Sequence, residues 1–125
     1  MWVNAMVNNQ FSVTLPLTGE YLTTVRLTTG GLCSLVGFDV DFAEDFKVCV
    51  TESLLILKRN GYTSATIVFS VGEALGCHIV GNALEGRRED AIEDEISRAL
   101  LSALLGEVEF ETNEQGLVSG IRFEG

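Results

Sequence analysis

The sequence predicts an α+β domain, a two-layer α/β sandwich with helices on one face of a mixed, mostly antiparallel sheet. Three observations carry that expectation. Two stretches in the first half repeat apolar residues at three- and four-residue spacing, the second half holds two pairs of strand-like segments joined by glycine-containing turns, and a third helical stretch separates those pairs. The predicted order is β-α-α-β-β-α-β-β. At 125 residues the chain is expected to form one domain spanning 1–125, long enough to bury roughly two-thirds of its unfolded surface.

Met1 to Gln10 shows no clear periodicity and reads as a loose arm or an edge strand. Phe11, Val13 and Leu15 then alternate with Ser12 and Thr14, a half-buried strand that Pro16 ends by removing a ladder donor. Thr18 is placed to cap a helix over 19–36, with Tyr21, Val25, Leu32 and Leu35 as its buried stripe. Gly30-Gly31 in its middle weakens helix propensity by about 1 kcal/mol per glycine, so a close helix crossing is expected there. Gly37-Phe38-Asp39-Val40 connects it to the next element.

The stretch 41–62 is the strongest helical pattern. Asp41 followed by Glu44 resembles a capping box, and Phe42, Phe46, Cys49, Val50, Ser53 and Leu57 form a buried stripe. Lys58 and Arg59 suit the negative end of the helix dipole, and Asn60-Gly61 provides a left-handed stop. Thr66 to Val71, the turn Gly72 to Gly76, and Cys77 to Val80 read as a hairpin. A helix over 88–105 follows, with Ile92, Ile96, Ala99, Leu100, Ala103 and Leu104 on its apolar face. Glu89, Asp90, Glu93, Asp94 and Glu95 at its start read as a solvated face near the positive dipole end. Glu107 to Glu111 alternates strictly, Asn113 to Gly116 turns, and Leu117 to Phe123 closes a second hairpin.

Composition narrows the function. The chain carries 18 Asp plus Glu against 8 Lys plus Arg, which disfavours direct binding to nucleic acid or anionic lipid and favours a basic partner. Cys33, Cys49 and Cys77 are an odd number at no metal-ligand spacing, so they read as reduced core thiols. His78 has no second histidine with which to build a metal site and reads as a packed or surface residue. Trp2 reads as terminal packing. The start lacks a basic segment followed by a long apolar run, so a cytoplasmic protein without a membrane span is expected.

The element order and two local patterns resemble the ATP-binding fold shared by gyrase, heat-shock chaperones, histidine kinases and mismatch-repair proteins, and most closely the bacterial anti-sigma factor serine kinases. In the first helix, Glu20-Tyr21, Arg26-Leu27-Thr28, Gly31, Ser34 and Gly37-Phe38 carry the likeness. In the second, Asp45 to Ser53 resembles that family's asparagine-box helix up to Glu52. The resemblance implies that Glu52 is the acid assisting attack on the γ-phosphate, and that an asparagine four residues on holds Mg²⁺. That position is Ile56, which has no lone pair for a hard cation. The family's adenine-binding Asp-x-Gly-x-Gly falls at Gly81-Asn82-Ala83, with no aspartate. Its phosphate-wrapping Gly-x-Gly falls near Glu95-Ile96-Ser97, where a carboxylate repels phosphate. The lid between these boxes, about 82–94, is short.

The expectation is therefore a regulatory protein-binding module resembling an anti-sigma factor, with a degenerate site that uses neither ATP nor Mg²⁺ and holds no metal. Arg26 and Glu20 on the first helix would face a protein partner, a sigma factor or an anti-sigma antagonist, and the resemblance also implies a homodimer. Two alternatives stand beside it: an active Mg-ATP-dependent serine kinase with Glu52 as base, and a binder of another small ligand in the old nucleotide pocket.

Overall fold

The computed structural model describes residues 9–85 and 91–125. Their elements are β1 (Asn9–Pro16), α1 (Gly19–Leu35), α2 (Val40–Arg59), β2 (Ser64–Val71), β3 (Leu75–Gly81), α3 (Ala91–Leu105), β4 (Val108–Thr112) and β5 (Val118–Glu124). The expected order is the observed one. Five strands form one sheet in the order β1-β2-β3-β5-β4, and each neighbouring pair is antiparallel. Met1 to Asn8, with Trp2, and residues 86–90 lie outside the described residues.

Strand alternation explains the layers. Ala65, Ile67, Phe69 and Val71 of β2 and Leu75, Cys77 and Ile79 of β3 are buried, while Thr66, Val68, His78 and Val80 between them are only partly covered. The buried face receives α2, whose Phe46, Cys49, Val50, Leu54, Ile56 and Leu57 all pack into the core. Phe38, Phe42 and Phe46 stack along the start of α2 at centroid spacings of 4.7 Å and 6.4 Å, and Phe46 meets Phe123 of β5 at 5.3 Å.

Helix boundaries differ from expectation for local reasons. The cap of α2 is Asp39, whose Oδ1 accepts the Phe42 amide at 2.8 Å, so Asp41 sits within the first turn instead of capping it. Asn60 follows the last helical residue, and Gly61 takes φ 101°, the left-handed stop predicted for this pair. Thr18 precedes α1, but its hydroxyl donates to Glu20 at 3.1 Å and makes no cap bond. The buried stripe of α1 is Val25, Thr29, Leu32 and Cys33; Tyr21 and Leu35 are exposed, contrary to the sequence reading. Gly30 lies against the Lys47 side chain of α2, whereas Gly31 faces open space.

The largest correction concerns α3. Ile92 and Ile96 are 68% and 63% exposed, and the residues turned inward are Asp94, Ser97 and Leu101. The acidic start of this helix is therefore not uniformly solvated, since Asp94 is buried. The reason is a cationic partner on α2.

Candidate functional site

The last turn of α2 and the first turns of α3 meet through a polar cluster. Arg59 donates from Nε to Asp94 Oδ1 at 2.8 Å and from Nη2 to Ser97 Oγ at 2.6 Å. Ser97 Oγ in turn donates to Glu52 Oε1 at 3.3 Å, about two helical turns back along α2 from Arg59. Asn60, fully buried, donates from Nδ2 to Asp94 Oδ2 at 2.6 Å and to the Ile56 carbonyl at 2.8 Å. Its Oδ1 accepts the Val118 amide of β5 at 3.1 Å. Both Asp94 oxygens are thus engaged, and the side chains of Arg59 and Asp94 are only 11% and 12% exposed. A buried ion pair is tolerated when each partner is satisfied in this way.

This cluster contains several positions the sequence singled out. Glu52 and Ser97 are joined directly, and Ile56 lies between the two ends of the chain of bonds with no exposed surface. Glu95 points outward and does not join them. Gly81 and Ala83 serve the sheet margin. A Cβ at Gly81 would collide with the Tyr62 ring, and the Ala83 carbonyl accepts the Thr63 amide at 2.8 Å. Asn82 is exposed and donates to Thr66 Oγ1 at 2.9 Å. Arg26 and Glu20 are exposed on α1.

Arg59, Asn60 and Asp94 are the residues the sequence reading missed. A signal existed in the spacing of Asp94, Ser97, Leu101 and Leu104, which fall on one helical stripe, but the two isoleucines offered a more apolar one.

The donor set does not fit Mg²⁺. Ile56 offers hydrocarbon, and the Asn60 amide oxygen already accepts Val118 N–H. Asp94 is consumed by Arg59 and Asn60. Among the described residues no group of His, Cys, Asp and Glu is arranged to hold a metal ion.

Two hollows lie away from these residues. One of about 90 Å³ opens between Leu17, Leu22 and Leu54, and one of about 1060 Å³ extends past His78, Glu109 and Arg122. In the second, His78 Nε2 and Glu111 Oε1 are 2.8 Å apart, and Arg122 Nη2 reaches His78 Nδ1 at 3.3 Å. Glu111 folds across Gly120, where a Cβ would collide with its carboxylate. All three cysteines are free and buried. Burial raises Cys33 and Cys77 above the ordinary thiol value and pushes Cys49 up to about 12, so none is a ready nucleophile.

The fold and this cluster describe a two-layer α+β domain whose second and third helices are locked together by buried polar contacts. Compared with known proteins, the chain is 32% identical over 63 residues to the serine-protein kinase RsbW of Bacillus mycoides and of Bacillus cereus. The match covers 47% of this chain and 39% of each relative. No family model matches. This distant similarity to a bacterial serine-protein kinase agrees with the resemblance to anti-sigma factor serine kinases read from the first two helices. Among the described residues no helix is long and apolar enough to cross a membrane.

Proposed function

We propose that the chain is a cytoplasmic regulatory module that binds a protein partner, derived from an anti-sigma factor serine kinase and no longer using Mg-ATP. One observation carries the reading: the face of α2 bearing Glu52, Ile56 and Asn60 is tied through Ser97, Arg59 and Asp94 to α3, so the groups that would meet nucleotide are spent on each other. Phosphoryl transfer needs a metal and positioned donors together, and neither is supplied by Ile56 or a committed Asn60. The partner, a sigma factor or an anti-sigma antagonist, meets exposed Arg26 and Glu20 of α1, and the module acts as a homodimer.

Calorimetric titration with ATP and ADP, with and without Mg²⁺, tests the first half, with an active kinase of the same kind as control. No heat and no thermal stabilisation are expected. Mg²⁺-dependent binding at micromolar concentration, with phosphotransfer abolished by Glu52→Ala, would overturn it. The partner half is tested by capture of sigma factors with the unmodified chain and with Arg26→Glu, which is expected to lose the interaction.

A further inference from the structure

The outer face of α1 carries apolar side chains that nothing in the fold requires. Leu27 and Leu35 are 74% and 67% exposed, and Val40, just past the corner into α2, is 78% exposed. At 100° per residue, Glu20, Thr24, Leu27, Gly31 and Leu35 fall within about 40° of one line along the helix, and buried Val25, Thr29, Leu32 and Cys33 lie about 100–160° around from it. Gly31 sits at the middle of that line, and a Cβ there would touch nothing within 4 Å. The result is a notch between two leucines about 12 Å apart along the axis, eight residues at the helical rise. Arg26 projects about 140° away from Gly31 on the same helix, so this stripe is a different surface from the one Arg26 occupies.

The corner that holds Leu35 and Val40 outward is stiff. Gly37 turns the chain with φ 78°, Phe38 stacks edge-on against Phe42 at 4.7 Å and lies 5.7 Å from Phe46, and Asp39 caps α2. A surface already fixed in shape binds without the cost of ordering it.

Charge selects the occupant. No acidic residue occurs from Tyr21 to Phe38, but Glu20 closes one end of the stripe, and Asp39, Asp41 and Glu44 crowd the other, all exposed, with Glu44 also paired to Lys47 at 2.7 Å. An apolar strip with acids at both ends is complementary to an amphipathic helix whose apolar side chains are flanked at both ends by Lys or Arg. A second copy does not fit. Antiparallel packing about Gly31 sets Glu20 of each chain beside Asp39 and Asp41 of the other, and parallel packing sets each acidic end against itself. An extended strand gains nothing from a helix face, which offers no free backbone groups to pair.

We propose that the Leu27–Gly31–Leu35 stripe with Val40 is a docking surface for a basic amphipathic helix of a partner protein, distinct from the surface Arg26 occupies, with Glu20 the one residue common to both. A large apolar side chain of that helix seats in the Gly31 notch, and its cationic ends meet Glu20 and the Asp39–Glu44 corner.

The test uses the full chain and two synthetic helical peptides of about three turns with the same leucine stripe, one with lysines at both ends and one with glutamates. Fluorescence anisotropy is read at low and high salt. The lysine peptide is expected to saturate and to bind at least tenfold more tightly than the glutamate peptide. That binding is expected to fall at least tenfold in Leu27→Asp and in Leu35→Asp, and in Gly31→Leu, which fills the notch without touching the fold. Arg26→Glu is expected to leave it within twofold, so loss of partner capture through Arg26 and loss of this surface are read separately. No saturable binding overturns the proposal. So does binding indifferent to the leucine and glycine substitutions, which would be diffuse attraction to an acidic chain.

Discussion

Asn60→Ala isolates the cluster that joins α2, α3 and β5. The substitution leaves two buried groups without partners, the Val118 amide and Asp94 Oδ2. The Ile56 carbonyl is spared, because it also accepts the Asn60 backbone amide at 3.0 Å. An orphaned buried amide costs about 1–3 kcal/mol and a lost bond to a charged acceptor about 1.5–3 kcal/mol, so the expected loss is about 3–6 kcal/mol. That is a large part of the 5–15 kcal/mol typical of a folded domain. It corresponds to a fall in Tm on the order of 10–25 °C at this chain length. Urea denaturation followed by circular dichroism measures it as a shift in midpoint at constant slope. A cost below about 1 kcal/mol would show that the Asn60 contacts are not structural, and the argument that α2 and α3 are locked by buried polar groups would fall with it.

Ile56→Asn, which places at this position the asparagine of the kinases the sequence resembles, is expected to give no Mg-ATP binding in calorimetry. It is also expected to cost about 3–5 kcal/mol in urea, because a fully buried hydrocarbon is exchanged for an amide. Raised thiol pKa values keep Cys33, Cys49 and Cys77 neutral in the native state. Since the folded values exceed the unfolded one near 8.5, the stability they contribute is complete below that pH and is lost as pH rises toward 12. Melting temperatures between pH 7 and 11 are expected to fall with pH, and iodoacetamide at pH 8 is expected to label only unfolded chain. Native labelling at the rate of a free thiol would refute the burial argument. Gly81→Ala drives a methyl into the Tyr62 ring and is expected to cost about 1–3 kcal/mol by thermal melt, with Tyr62→Leu relieving part of it.

The sheet and the three helices were legible because each follows a period that side-chain burial enforces. The hairpin read over Thr66 to Val80 in particular is the antiparallel β2–β3 pair of the fold. The face of α3 was not legible. Hydrophobic periodicity ranks Ile92 and Ile96 above Asp94 and Ser97, and it cannot know that Arg59, distant in sequence, supplies a charge that makes an inward carboxylate favourable. The cap of α2 was misplaced for a smaller reason: Asp39 and Asp41 both offer a carboxylate, and only backbone geometry decides that Asp39 accepts the Phe42 amide. Glu52 and Ile56 were singled out through the resemblance of Asp45 to Ser53 to an asparagine-box helix. The missing lone pair at Ile56 was visible in the sequence, but the engagement of the neighbouring Arg59 and Asn60 with Asp94 and Ser97 required the third dimension.

Strand order sets a timetable for synthesis. β4 pairs only with β5, and β5 lies between it and β3. A nascent chain therefore extrudes α3 and β4 before the strand that fastens β4 to the sheet exists. Until Val118 to Glu124 emerges, β3 presents an open edge, and the Val118 amide that Asn60 awaits has not been made. Native assembly waits for that strand, which leaves a window in which a chaperone or a ribosomal pause has the most effect on yield.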